Sequence, residues 1–283
     1  MKPKKSLGQN FLKDKEVLTK IIRAANLDAD DLVIEIGPGR GALSSEINKH
    51  VKNFIMIEKD YNLADEIARN FQFSIFNPPA DEADSQSIFN NPILNFKNKA
   101  AVISGDILKL NLIELISKNN FYNYKVVANI PYYITSPIIQ LFLETEFPPK
   151  EMLLTVQKEV AERICASPGN MSILAVSVQY YAKPKLLFYV DKNAFWPVPE
   201  VDSAVIKISD IKNKISKIES KKFFRVVKAG FCAKRKTLLN NLSSSFHLDK
   251  KTTEEKIKKA GINPGARAQE LSVEDWKKLT KFL

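Results

Sequence analysis

Leu32-Val33-Ile34-Glu35-Ile36-Gly37-Pro38-Gly39-Arg40-Gly41-Ala42 decides how this chain folds. LVIEI is a short apolar run that reads as a buried strand. It ends in a turn of the form Gly-x-Gly-x-x-Gly/Ala, and helical periodicity follows over residues 42–50. A strand that feeds a glycine turn and then a helix opens an α/β unit. Glycines at that turn let the backbone approach a ligand closely. Alone, the pattern also fits an ordinary helix-entry turn.

The same rhythm continues along the chain. Residues 54–58 (FIMIE) form a second apolar run, ending in Glu58, with a helical pattern over 62–70. Residues 101–104 form a third, with Asp106 at its tip, and 124–130 (YKVVANI) a fourth. The spacing then predicts a helix over 136–145, with Ser136 as N-cap and Pro137 at the first helical position. A fifth strand is expected at 151–156, helices at 158–166 and 171–182, and late strands at 185–190 and 205–208. Strands alternating with helices imply a parallel sheet with helices on both faces.

Beyond Ser209 the character changes. Residues 211–236 carry ten Lys or Arg against one acid, Glu219. The expected division is an α/β domain over 1–209 and a small helical domain over 210–283. Residues 73–99 are long for a connection within a compact sheet and read as an insertion.

Composition bounds the partners. The chain has 283 residues, a net charge of +11 and 45% hydrophobic residues, enough for one large core and one smaller. The cationic surplus, with a pI near 9.4, points to a polyanionic partner. Cys165, Cys232, His50 and His247 are isolated, so neither a metal site nor a histidine-based triad is expected. The basic MKPKKSLGQNFL start lacks an apolar core for a signal peptide, and no run of about 18 apolar residues exists to span a membrane. A cytoplasmic, monomeric protein is expected.

The fourth strand carries the chemistry. Asn129-Ile130-Pro131-Tyr132 puts an amide, a rigid proline and an aromatic ring at a strand's C-terminal end, where open α/β sheets bind ligands. An amide oxygen and nearby carbonyls can accept from an exocyclic amine, and a ring can stack on its base. A turn is the plainer reading of the same four residues. Glu58 stands where a ribose-binding acid belongs, and Asp106 where a carboxylate could accept from an adenine amine. A nicotinamide enzyme would share the glycine turn and Glu58, but Asn-Ile-Pro-Tyr does nothing for hydride transfer. Asn77-Pro78-Pro79-Ala80 copies part of the motif but lacks the aromatic and a preceding strand, so it reads as a decoy.

These motifs resemble the rRNA adenine N6,N6-dimethyltransferase family, in its small-subunit branch. The resemblance rests on Asn129 to Tyr132, Glu35 to Gly39, Gly8-Gln9-Asn10-Phe11-Leu12, Gln157-Lys158-Glu159-Val160, Phe195 to Ala204 (FWPVPEVDSA), Lys234 to Leu238 and Arg267 to Asp275. It covers nearly the whole chain except 73–99. It implies a Rossmann-like, S-adenosylmethionine-dependent methyltransferase sheet plus the C-terminal helical domain. The implied reaction dimethylates N6 of two adjacent adenosines near the 3′ end of 16S rRNA within the small ribosomal subunit.

The resemblance also implies roles. Asn10 and Leu12 would close over S-adenosylmethionine, Gly37 and Gly39 would receive its methionine end, Glu58 would bind the ribose and Asp106 the cofactor adenine. Asn129 would touch both cofactor and target, with the Ile130 or Pro131 carbonyl as a second acceptor. Tyr132 and Phe195 would sandwich the target adenine. Phe195 and Trp196 also read as core residues, but Pro197 and Pro199 argue for a loop, which favours a site role for at least Phe195. Lys221, Lys222, Arg225, Lys228, Lys234, Arg235 and Lys236 are candidate rRNA phosphate contacts, although any one of them reads equally as a solvated helix face. The alternatives are a methyltransferase of large-subunit rRNA, a mainly non-catalytic assembly factor and, more weakly, a DNA adenine methyltransferase.

Overall fold

The computed structural model describes residues 3–4, 7–77, 100–118, 122–213 and 215–283. The decoy tetrapeptide, apart from Asn77, and most of the expected insertion lie outside them.

The chain forms two compact units, residues 1–161 with 185–211 and residues 162–184 with 212–283. The division expected at 209/210 falls beside the second of these boundaries. Residues 162–184, read from sequence as part of the first domain, group with the C-terminal helices instead.

The first unit is built on an eight-stranded sheet in the order β4-β5-β3-β2-β6-β7-β10-β8. Its strands are β2 (Leu32–Ile36), β3 (Asn53–Glu58), β4 (Ser74–Phe76), β5 (Ala100–Ser104), β6 (Tyr124–Asn129), β7 (Glu151–Gln157), β8 (Lys183–Val190) and β10 (Ser203–Ser209). Every residue of β2 is buried, as are five of six in β3 and β6, which is why these strands read as continuous apolar runs. The pairs β4/β5, β5/β3, β3/β2, β2/β6 and β6/β7 are parallel, whereas β10 runs antiparallel to β7. The all-parallel expectation is therefore corrected to a mixed sheet. Periodicity reports burial and carries no strand direction. Ser74–Phe76, read as the start of an insertion, is a three-residue strand beside β5.

Topology creates the crevice. The chain runs from β2 to β3 on one side and returns to β6 on the other, so the strand order reverses between β2 and β6. Their pairing covers only Leu32↔Tyr124, Val33↔Lys125 and Ile34↔Val126. Beyond Ile34 the ladder stops, which leaves the glycine turn and Asn129 on facing strand ends.

Helices α1 (Lys15–Ala25), α2 (Ala42–Ile47), α3 (Tyr61–Phe71), α4 (Leu112–Lys118) and α5 (Thr135–Glu144) also belong to this unit. α1 is capped by Asp14 and buries Leu18, Ile21 and Ala25. α5 begins at Thr135, directly after a 3-10 turn at Tyr132–Ile134. Ser136 and Pro137 thus lie inside its first turn, and Ser136 is not the cap. A second, two-stranded sheet pairs β1 (Phe11–Leu12) with β9 (Phe195–Trp196), antiparallel, in register Phe11↔Trp196 and Leu12↔Phe195. Helix α6 (Lys158–Ile164) follows β7 across the unit boundary.

The second unit holds α7 (Ile173–Tyr181), α8 (Lys217–Gly230), α9 (Leu238–Phe246), α10 (Lys250–Lys259) and α11 (Val273–Thr280). Trp276 of α11 is fully buried and stacks on Phe231 at 5.6 Å between centroids. Asn241 Nδ2 donates to the carbonyls of Gly230 and Ala233 at 2.6 and 3.0 Å, which fixes the turn that presents Lys234, Arg235 and Lys236. A Cβ on Gly230 would stand 2.3 Å from the Trp276 ring. Gly230→Ala should therefore destabilise the protein by about 1–3 kcal/mol through overpacking, read as a lowered urea midpoint. An unchanged midpoint would show that α8 and α11 have slack where they meet.

Candidate active site

A cleft in the first unit gathers ten of the eleven residues expected to catalyse or to bind cofactor. Asn10, Leu12, Gly37, Gly39, Glu58, Asp106, Asn129, Ile130, Pro131 and Tyr132 all line it. Four strand ends and the N-terminal arm supply them.

The glycine turn forms one wall. Gly37, Gly39 and Gly41 have φ of +64°, +60° and +80°, in the region that glycine tolerates best. A Cβ on Gly39 would come within 2.7 Å of the Phe11 ring, so the arm and the turn fit only with glycine there. Glu58 holds the turn in place. Its Oε2 accepts from the Gly39 N–H at 3.1 Å and its Oε1 from the Asp60 N–H at 2.8 Å. Burial raises the Glu58 pKa, and these two donors oppose the rise.

Asp60 extends the same network into the arm. It accepts from Lys4 Nζ at 2.9 Å and Gln9 Nε2 at 3.1 Å, and its Oδ1 caps α3 at Asn62. Burial alone would raise the Asp60 carboxyl, but Lys4 and Gln9 outweigh it and hold the group below its usual range. Asp106 pairs with Lys59 at 2.9 Å and caps its own loop at Leu108 N. Lone pairs remain on this carboxylate for a further donor.

The opposite wall is Asn129 to Tyr132. Asn129 Nδ2 donates to the Asn10 carbonyl at 3.0 Å, and Oδ1, the acceptor of that amide, has no hydrogen-bond donor among the described residues. The Tyr132 hydroxyl shares a 2.8 Å hydrogen bond with Ser203 Oγ, which anchors a half-buried ring.

Phe195 is the exception. It does not line the cleft, and its side chain is 0% exposed, packed with Leu12, Leu18, Ile21 and Val205. Turning it outward would forfeit about 1.5–3 kcal/mol of burial and open a void. The structure thus places Phe195, expected to wall the target adenine, in the core beside Leu12 of the β1/β9 pair and not among the residues that line the cleft. Its neighbour Trp196 faces outward and is 42% exposed. The Arg40 guanidinium lies 4.6 Å from the Trp196 ring and 5.1 Å from the Phe11 ring, closing the arm over the glycine turn.

Lys221, Lys222, Arg225, Lys228, Lys234, Arg235 and Lys236 are exposed on the second unit, and none of them lines this cleft. Arg225 lies 5.1 Å from the Phe246 ring.

Sequence reasoning assigned no role to Glu35, Asp60, Lys4, Gln9 or Arg40. Glu35 lines the cleft, is buried, and its Oε2 has no hydrogen-bond partner among the described residues. Burial, with the Glu58 carboxylate adding to it, raises its pKa from 4.5 to about 8. A charged residue inside an otherwise apolar strand was the available signal.

The fold and this cleft define a Rossmann-like methyltransferase. The 23S rRNA methyltransferase ErmE superimposes with a TM-score of 0.70 at 23% identity, over 97% of this chain and 99% of that one. A dimethyladenosine transferase from Plasmodium falciparum gives 0.71 at 24% identity, over 95% of each chain. The family model described as ribosomal RNA adenine dimethylase matches residues 1–80 and 83–283. Curated relatives agree. "Ribosomal RNA small subunit methyltransferase A" of Dehalococcoides mccartyi strain BAV1 is 40% identical over 283 residues, 99% of this chain and 88% of the relative. Its namesake in Caldanaerobacter subterraneus is 38% identical over 287 residues, 100% of this chain and 98% of the relative. The chain belongs to the ribosomal RNA adenine dimethylase family.

Glu35 yields a pH prediction. Between 4.5 and about 8 the folded protein keeps a proton that the unfolded chain has released. The stability this contributes is full below 4.5 and lost as pH rises toward 8. Glu35→Gln should therefore lose less stability across that window than the wild type, measured by urea denaturation at several pH values. Parallel profiles would mean that Glu35 is already ionised at neutral pH.

Proposed function

We propose that the cleft binds S-adenosylmethionine and the chain dimethylates N6 of two adjacent adenosines near the 3′ end of 16S rRNA in the small ribosomal subunit. The observation that carries this is Asn129 to Tyr132 facing the glycine turn across one cleft. An amine acceptor and a stacking ring stand opposite a nucleoside-binding loop. The relatives named for the small subunit support that substrate over the large one.

The residues fit the cofactor. The unpartnered Glu35 Oε2 and the Gly37 to Gly39 backbone suit an amino-acid end, Glu58 a ribose and Asp106 an adenine amine. Asn10 and Leu12 cover it from the arm. When bound, S-adenosylmethionine supplies an electrophilic sulfonium methyl, which N6 accepts as the neutral thioether departs.

The chain's own task concerns N6. Its lone pair is delocalised into the ring, which makes it a poor nucleophile. Asn129 Oδ1 and the Ile130 or Pro131 carbonyl accept its hydrogens and draw the nitrogen toward tetrahedral geometry. The Tyr132 ring stacks on the base and stabilises the positive charge that develops. The N6 proton then leaves to water, so no strong base is required, and positioning supplies most of the rate. With Phe195 in the core, stacking falls to Tyr132. The unstacking cost, roughly a few kcal/mol, is lowest in a single-stranded loop. The basic residues of 221–236 suit the phosphates of the surrounding RNA.

Asn129→Ala should lower methyl transfer at least about 100-fold, the order expected when an acceptor is removed from the reacting centre, while RNA binding persists. Labelled S-adenosylmethionine offered with isolated small and large subunits tests both parts. Label on small-subunit rRNA alone is expected. Label on large-subunit rRNA alone, or an active Asn129→Ala, would overturn the reading.

A further inference from the structure

A second cavity, about 560 Å³, lies wholly within the second unit, between the start of α8 and the end of α11. Among the described residues that line it are four lysines, Lys212, Lys222, Lys277 and Lys281, and one acid, Glu219. Only Lys222 belongs to the basic face considered above.

The lysines are only partly neutralised. Lys277 pairs with Glu274 on its own helix. Lys212, Lys222 and Lys281 have no carboxylate partner among the described residues. Lys212 Nζ donates to the Tyr180 carbonyl at 2.6 Å and lies 5.7 Å from that ring. Partial burial and the adjacent Lys277 ammonium hold Lys212 below the usual lysine range, with the Glu274 carboxylate opposing them only in part. Ammonium groups crowded into one concavity repel, and an anion seated among them would offset that cost. The first turn of the 14-residue α8, capped by Ser216, borders the same space.

We propose that this cavity is a phosphate subsite that grips the backbone of the RNA substrate. This rests on the reading of the chain as an rRNA methyltransferase and adds an anchoring point separate from the cleft. The cavity selects charge and not base. Its two aromatic residues, Tyr180 and Phe223, are buried and stacked on each other at 4.1 Å, so neither offers a free face to a nucleobase. Glu219 sets a limit, since it repels an anion approaching the α8 end of the cavity.

The test is the salt dependence of binding to a small-subunit rRNA fragment, comparing Lys212→Ala/Lys281→Ala with Lys15→Ala/Lys20→Ala on the exposed face of α1. Removing one lysine–phosphate pair should flatten the slope of log K against log salt by about 0.7–0.9. The cavity variant is expected to flatten it by up to two such steps and the α1 variant by none, with both variants still unfolding cooperatively. Equal slopes in the two variants would overturn the proposal. Lysine acylation read by mass spectrometry identifies the source of the phosphate. RNA should protect Lys212 and Lys281, and inorganic phosphate at equal phosphate concentration should not. Protection by neither, or equally by both, would refute an RNA subsite. Because binding is read without methyl transfer, failure of the catalytic reading would show in the methylation assay and leave this result interpretable.

Discussion

A buried carboxylate organises the active unit. Glu58 ends β3 with only 6% of its surface exposed and is held by the N–H groups of Gly39 and Asp60. One bond fixes the glycine turn after β2, and the other fixes the start of α3. Asp60 passes the constraint to the N-terminal arm through Lys4 and Gln9, and the arm reaches Asn129 through the Asn10 carbonyl. Removing the Glu58 carboxylate would leave two buried donors unpaired, at about 1–3 kcal/mol each. The same group keeps lone pairs for a ligand, so the residue that shapes the cleft is also one that can bind in it.

Burying acids at this place has a consequence for chemistry. Glu35 and Glu58 both carry raised pKa values, while Asp60 is lowered by its two arm partners. A cleft lined by carboxyl groups held in low dielectric favours a cationic occupant, because a nearby positive charge stabilises their ionised forms. A sulfonium-bearing amino acid meets that description. The proposed reaction converts it to an uncharged thioether, which weakens that attraction as the product forms.

Much of this was legible from sequence, for reasons that particular residues make plain. Central strands buried on both faces leave unbroken apolar runs, so residues 32–36, 54–58 and 124–130 announced themselves. Glycine, acid and amide at the ends of those runs then marked the cleft. What failed was short or directional. Two-residue strands such as Phe11–Leu12 and Phe195–Trp196 carry no periodicity, so their pairing was invisible. Pro197 and Pro199 favoured a loop near the site, but alternation along β9 sends Phe195 inward and Trp196 outward, and only the register with Leu12 and Phe11 reveals which. The antiparallel turn of β10 and the grouping of residues 162–184 with the C-terminal helices depend on long-range packing that no local pattern encodes. Lys212, Lys277 and Lys281 lie up to 69 positions apart in the chain, so their convergence appears only in three dimensions.

The fold alone leaves the RNA open, since ErmE shares it with a different subunit's rRNA named as its substrate. The central claim is that the cleft organised by Glu58 places two methyl groups on each of two adjacent small-subunit adenosines. Mass spectrometry of 16S rRNA from cells lacking this protein, complemented with the wild type or with Glu58→Ala, tests it most directly. The account predicts adjacent N6,N6-dimethyladenosines with the wild type and unmodified adenosines with Glu58→Ala or no complement. Dimethylated adenosines persisting in cells without the protein would contradict it.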